Sequence, residues 1–307
     1  MDYTTQIDKL QEEVERVVKG KSRIVRKVLA AMLAGGHILL EDIPGVGKTT
    51  LALAFSRALS MKYNRMQFTP DVLPADLTGF SMYQKETDSF RYMEGAVMCN
   101  IFLADEINRT SPKTQSALLE VMEEKKVTVD AVTRELPDPF FVIATQNPVG
   151  SVGTQRLPES QMDRFMIRLS MGYPDVENEI QILKGMYDKV ETEPVIDIDT
   201  FLSMRREVEQ VHVSDVLYGY LMELVNRTRT EEIFALGMSP RGSIALLKMS
   251  RAIAYIAGRD FVTPEDVREI FTDMGMHRVL VSNVAKANQI TEEQALEQVK
   301  ESVPMPV

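Results

Sequence analysis

Two short runs in the first half of the chain hold the residue types that phosphate chemistry needs. In the first, Pro44-Gly45-Val46-Gly47-Lys48-Thr49-Thr50, two glycines precede a lysine and two hydroxyls. Glycines let successive backbone N–H groups turn inward around phosphate oxygens, and a helix opening at the lysine adds partial positive charge. Lys48 can place a full charge on β- and γ-phosphates, while the Thr49 hydroxyl can ligate Mg2+. The strict pattern G-x-x-x-x-G-K-[ST] asks for glycine at position 42, where this chain carries Asp42. The Gly-Lys-Thr end is intact.

The second run, Ile101 to Glu106, is apolar until it ends in Asp105 and Glu106. In an open α/β sheet, ligands sit at the carboxyl ends of the strands. Asp105 there can hold Mg2+ through its water shell, and Glu106 can orient, or take a proton from, the water attacking a γ-phosphate. A third apolar run ends in Ala144-Thr145-Gln146-Asn147-Pro148. The Asn147 amide at an adjacent strand end could hydrogen-bond both γ-phosphate and water. An Asn before Pro is also a common turn residue.

These residues work together only if strands and helices alternate around them, and the chain reads that way. Ser22 can cap a helix over 22–34 whose apolar residues recur at helical spacing, and His37–Asp42 reads as a buried parallel strand. A helix from about Lys48 to Ser60 follows. Strands are expected near Arg65–Thr69, at Asn100–Ala104, Phe140–Thr145 and Met166–Met171, with a helix over Pro112–Glu124. That alternation predicts a parallel, doubly wound sheet. Residues 80–98 and 126–137 interrupt it with strand-like pairs, either projecting β-hairpins or edge strands of the same sheet. After Tyr173 the strand signal vanishes, and helices are expected over 175–190, 197–210, 214–230, 240–258, 263–276 and 291–303. Ser239-Pro240 and Thr263-Pro264 each put a capping residue before a first-turn proline.

Composition sets the outer limits. A chain of 307 residues has room for two domains, and its 44% hydrophobic residues suffice for a real core. The net charge of -10 disfavours a free-standing nucleic-acid binder. The basic residues Arg16, Lys19, Lys21, Arg23, Arg26 and Lys27 are expected on the solvated face of the first helix, or at a subunit interface near an adenine pocket. The single cysteine, Cys99, excludes an intrachain disulfide framework and fits a reducing, cytoplasmic setting. Val28–Leu40, the longest mostly apolar stretch, falls short of the roughly 20 residues that cross a bilayer. The acidic N-terminal segment does not read as a signal peptide. His37, His212 and His277 lie too far apart to suggest a transition-metal site.

Several further runs carry a family resemblance. Gln67–Asp71, Leu103–Arg109, Ser111–Glu120, Phe140–Pro148, Leu157–Phe165, Ser239–Gly242 and Gly258–Val267 together resemble the MoxR-type AAA+ ATPases over nearly all of residues 15–282. The resemblance implies an AAA+ P-loop core with a five-stranded parallel sheet and β-hairpin inserts over residues 1–192. An all-α lid over 193–307 would follow, with ATP and Mg2+ between them and assembly into a ring, typically a hexamer. It assigns 80–98 as the insert of the second helix region and 126–137 as the hairpin before the first sensor. Asp42 is a familiar variant in this family.

Matched motif to motif, Asn147 becomes the first sensor, Arg164 the arginine finger and Arg241 the second sensor. Such a finger reaches the neighbouring subunit's γ-phosphate and stabilises transition-state charge. Arg164 could instead form a structural ion pair with Asp163 or Glu159, and Arg241 could act within its own subunit or on its neighbour. The resemblance implies chaperone-like remodelling of client proteins with a separate partner bearing a von Willebrand factor A domain. The ATPase subunit of a metal chelatase and a weakly hydrolysing regulatory scaffold are the alternatives.

Overall fold

Strands that are apolar along most of their length need cover on both faces, and the central strands of the main sheet have it. A computed structural model describes residues 3–43, 45–147, 157–174, 176–184 and 191–306. Helices α1 (Thr4–Val17) and α2 (Ser22–Leu33) lead into β1 (Ile38–Glu41), α3 (Lys48–Ala58), β2 (Tyr63–Gln67) and the short α4 (Pro74–Thr78). The hairpin β3 (Gly79–Gln84) and β4 (Ser89–Glu94) precedes β5 (Ile101–Asp105) and α5 (Pro112–Glu124). A second hairpin, β6 (Lys126–Val129) and β7 (Val132–Glu135), precedes β8 (Phe141–Gln146), α6 (Glu159–Met162) and β9 (Ile167–Leu169). The remainder runs α7 (Val176–Leu183), α8 (Ile198–Gln210), α9 (Asp215–Thr230), β10 (Phe234–Leu236) and α10 (Pro240–Ile256). It closes with α11 (Pro264–Gly275), β11 (Leu280–Val281), α12 (Asn283–Ala287) and α13 (Glu292–Ser302).

The five-stranded sheet is parallel throughout, in the order β2-β5-β8-β1-β9. Alternate residues of the three central strands, β5, β8 and β1, enter different cores. Leu39, Phe102 and Val142 pack with Leu118, Leu119 and Met122 of α5. Ile38, Leu40, Leu103 and Ile143 pack with Val28 and Met32 of α2 and Leu51 and Phe55 of α3. Each such side chain, fully buried, contributes about 1.5–3 kcal/mol. The second cluster continues into the helical part of the chain through Met249, Ile253, Ile270, Phe271 and Leu296. One apolar core therefore joins the sheet to the helices that follow it. Register then sets the carboxyl ends level: Gln67 lies opposite Asp105, and Glu41 opposite Gln146.

The proline-led helices begin where their caps place them. Ser239 Oγ accepts the N–H of Gly242 at 3.0 Å, and the Asp266 carboxylate accepts the N–H of Thr263 at 2.8 Å. Each such cap stabilises its helix by about 1 kcal/mol.

Both inserts are projecting hairpins, each a separate two-stranded sheet, and neither is an edge of the main one. The structure corrects the expected pattern in other places. The second strand begins two residues earlier than expected, and β9 is confined to Ile167–Leu169. Of the helix expected over 175–190, Val176–Leu183 is helical, while 175 and 185–190 lie outside the described residues. Strands do occur after Tyr173: β10 and β11 pair antiparallel, each too short to show an alternation. Helix α1 was not expected. Its buried stripe of Ile7, Leu10 and Val14 is narrow, and charge surrounds it. Among the described residues, no helix is long and apolar enough to cross a membrane.

Candidate active site

The loop read as phosphate-binding starts from the buried end of β1 and finishes at the first turn of α3. Gly45 has φ 87° and Gly47 φ 92°, conformations that L side chains rarely adopt. Pro44 lies outside the described residues. The Val46 side chain is buried in the core and anchors the loop. The Lys48 ammonium donates to the Asp42 carbonyl at 2.7 Å, which closes the loop on itself. Burial lowers the Lys48 pKa, and the carboxylates of Asp42, Asp105 and Glu106 work against that shift.

Asp42, the departure from the glycine pattern, has its own structural task. Its carboxylate accepts the N–H of Ile43 at 3.0 Å, the hydroxyl of Ser170 at 2.9 Å and the N–H of Gly172 at 2.7 Å. These bonds fix the loop's first residue to the segment leaving β9, which a glycine could not do.

Across the cleft, Asp105 ends β5. It accepts Arg65 Nη2 at 2.7 Å and Thr145 Oγ1 at 2.5 Å. Glu106 follows in the left-handed region, at φ 57°, with its N–H donated to Thr145 Oγ1 at 2.9 Å. Oε1 accepts the Asn147 amide at 2.9 Å, while Oε2 accepts Gln67 Nε2 at 2.7 Å and Arg109 Nη1 at 2.8 Å. Burial alone would raise the Glu106 pKa; the donors from Arg109 and Asn147 outweigh it and hold the carboxyl below its usual range. Asn108 Nδ2 in turn donates to the Asn147 carbonyl at 3.3 Å. Gly45, Gly47, Lys48, Thr49, Thr50, Asp105, Glu106 and Asn147 thus line one open cleft of about 430 Å³. Arg65, Gln67, Asn108, Arg109 and Thr145 support it and were not singled out by sequence reasoning. The signal was available for Arg65 and Gln67, which stand where the strand beside β5 ends.

Arg164 and Arg241 lie elsewhere. Arg164 Nε donates to Glu123 Oε2 at 3.0 Å, and Arg241 Nη2 donates to Glu123 Oε1. Both line a second cleft, of about 310 Å³, whose lining shares no residue with the first. The alternative ion pair of Arg164 with Asp163 or Glu159 does not form. Asp163 is taken by the buried Arg278 at 2.8 Å and by Ser239 at 2.7 Å. Burial pulls Arg278 down to about 10, against the attraction of Asp163, and it stays a cation at neutral pH.

Part of the basic run is solvated, with Arg16, Lys19 and Arg23 exposed, while Lys21, Arg26 and Lys27 pack against other elements. Arg26 pairs with Glu269 at 3.3 Å, and the buried Lys27 pairs with Asp273, both on α11. Lys21 donates to the Tyr173 carbonyl at 2.8 Å. Arg16 pairs with Glu13 of its own helix at 2.6 Å.

Residues 37–167 match the model of the ATPase family associated with various cellular activities (AAA), and residues 226–299 match the AAA lid domain. The chain is 36% identical over 304 residues to chaperone MoxR1 of Mycobacterium tuberculosis, covering 96% of this chain and 81% of that protein. It belongs to the MoxR family of AAA+ ATPases. Another relative of this MoxR-family ATPase is the uncharacterized Bacillus subtilis protein YeaC, 47% identical over 305 residues and matched over 95% of its length. The crystal structure of a proposed ATPase from Cytophaga hutchinsonii superposes with a TM-score of 0.91 at 36% identity. That match covers 99% of this chain and 96% of the other.

Proposed function

We propose that this MoxR-family ATPase uses Mg2+-dependent ATP hydrolysis to remodel or mature client proteins, and that it works as a ring whose active sites are shared between subunits. The observation that carries the reading is the separation just described. Lys48, Asp105, Glu106 and Asn147 share one cleft, whereas Arg164 and Arg241 meet at another. A chain that holds both halves but not together completes a site by pairing with a second copy.

In each half the chain's own groups have defined tasks. Backbone N–H groups from Gly45 to Lys48, with the Lys48 ammonium, bind the β- and γ-phosphates once Lys48 leaves the Asp42 carbonyl. The Thr49 hydroxyl and Asp105 carboxylate are hard oxygen donors of the kind Mg2+ prefers, and Arg65 and Thr145 already orient Asp105. With Mg2+ bound, charge on the β- and γ-oxygens is neutralised. Glu106 orients the attacking water and takes its proton, and Asn147 holds both Glu106 and the terminal phosphate. From the neighbouring copy, Arg164 and Arg241 meet the charge that develops on the transferred phosphoryl group.

The wider reading is a hexamer with a core ending near residue 192 and a lid over 193–307, acting in the cytoplasm. It engages clients with a separate protein bearing a von Willebrand factor A domain. The relative named chaperone MoxR1 supports the client-directed part. Glu106→Gln should trap the ATP-bound form. Client and partner should then be enriched on the trapped protein with ATP, and absent without nucleotide or with Lys48→Ala. Equal recovery in all three conditions would contradict an ATP-driven remodeller.

A further inference from the structure

Glu123 sits one residue before the end of α5, outside the phosphate cleft and outside every motif read from the sequence. Its two oxygens serve two different parts of the chain. Oε2 accepts Arg164, which precedes β9, and Oε1 accepts Arg241, in the first turn of α10. We propose that Glu123 is a positioning residue that holds Arg164 and Arg241 as one pre-assembled pair for the phosphates of a neighbouring subunit's nucleotide. This rests on the shared-site reading above.

Three observations support the assignment. Two guanidinium groups drawn to one phosphate repel each other, and a carboxylate between them removes much of that repulsion while fixing their spacing. Glu123 is placed to do this because Asp163, the other nearby carboxylate, is already committed to Arg278 and Ser239. Each guanidinium spends a single N–H group on Glu123, and neither has another hydrogen-bond partner among the described residues. With five donors on each, the rest stay open to phosphate oxygens. Finally, the cleft around the pair also contains Lys125 and Lys248, so its cations outnumber its carboxylates and it suits an anion. The arginine side chains are 30% and 46% exposed, within reach of another subunit.

The test is made in the whole 307-residue chain with Glu123→Gln, which keeps the side chain's shape and removes its charge. We expect kcat to fall by about tenfold or more while the half-saturating ATP concentration moves by less than about threefold, because the variant's own phosphate cleft is intact. Glu123→Asp should restore part of the loss. Mixing assigns the residue to a face. Glu123→Gln subunits mixed with Glu106→Gln subunits should regain activity, since the second supplies an intact arginine pair to the first. Glu123→Gln mixed with Arg164→Ala should regain none, since both lack it.

Arg164→Ala mixed with Glu106→Gln serves as the reference. No recovery in that reference mixture overturns the shared-site reading and this proposal with it. Recovery there, combined with wild-type kcat in Glu123→Gln or with recovery of Glu123→Gln by Arg164→Ala, overturns the role of Glu123 alone. A Glu123→Gln effect that appears only in ATP affinity does the same.

Discussion

The Asp42 carboxylate accepts the N–H of Gly172 at 2.7 Å, tying the first residue of the phosphate loop to the segment that leaves the last strand of the sheet. Position 42 is where the strict loop pattern asks for glycine, so the substitution replaces freedom with an anchor. Charged hydrogen bonds of this kind are each worth about 1.5–3 kcal/mol. Asp42→Ala should therefore cost about 2–4 kcal/mol of stability and weaken ATP binding by roughly tenfold through a looser loop. Chemical denaturation and nucleotide titration read the two effects. A variant with unchanged ATP affinity would show that the anchor does not shape the loop.

Binding and turnover should separate cleanly within the phosphate cleft. Lys48→Ala removes the full charge facing the phosphates and should abolish measurable ATP binding. Glu106→Gln keeps the shape but not the proton acceptor, so ATP should still bind while turnover is lost. Turnover within about threefold of wild type in Glu106→Gln would remove that residue from the chemistry.

His37 makes stability depend on pH. Its Nδ1 accepts the N–H of Val142 at 2.9 Å, so the proton sits on Nε2, which donates to the Met122 carbonyl at 3.0 Å. Burial lowers its pKa to about 4, against an ordinary value of 6.5. Between those values the unfolded chain takes up a proton that the folded chain refuses, so stability is lost as pH falls. The contribution is fully present above about pH 7 and declines by roughly 3 kcal/mol as pH approaches 4. Thermal unfolding from pH 7.5 down to 4.5 should show a slope that is shallower in His37→Gln. Parallel profiles would assign the slope to other groups.

The ion pair of Lys27 with Asp273 joins α2 to α11, and Lys27 is fully buried. Breaking such a pair from one side leaves the other charge without its partner, while replacing both partners is far less costly. Because Asp273 keeps some exposure, Lys27→Met should cost about 2–4 kcal/mol. The double variant Lys27→Met/Asp273→Leu should recover most of that. Additive losses in a double-mutant cycle would show that the pair is not coupled.

Which groups are legible in the sequence follows from how far apart the interacting residues lie. The phosphate loop, the carboxylates ending β5 and Asn147 were legible because each is a local pattern at the end of an apolar run. The alternation in 126–137 likewise marked a hairpin. The partners of those groups were not legible, because sheet register and lobe packing bring them in. Arg65 reaches Asp105 only because β2 lies beside β5, and Ser170 reaches Asp42 only because β9 lies beside β1. The pairing of Arg26 and Lys27 is not legible for the same reason: Glu269 and Asp273, which neutralise them, are more than two hundred residues away in sequence. Glu123 carried no local signal at all.

Catalysis by a shared site requires that Arg164 complete another subunit's cleft. Removing an arginine finger in related phosphoryl-transfer systems costs on the order of 10³–10⁵ in rate, so even a minority of repaired sites is measurable. The most direct measurement is the steady-state ATPase rate of Arg164→Ala and Glu106→Gln subunits, alone and mixed, with subunit exchange confirmed by labelled protein. Each variant alone should be inactive, and the mixture should recover activity wherever an intact Glu106 faces an intact Arg164. Wild-type activity per subunit should also rise with protein concentration as separate chains assemble. Exchange without recovery, together with a concentration-independent wild-type rate, would place catalysis within a single chain and contradict the shared site.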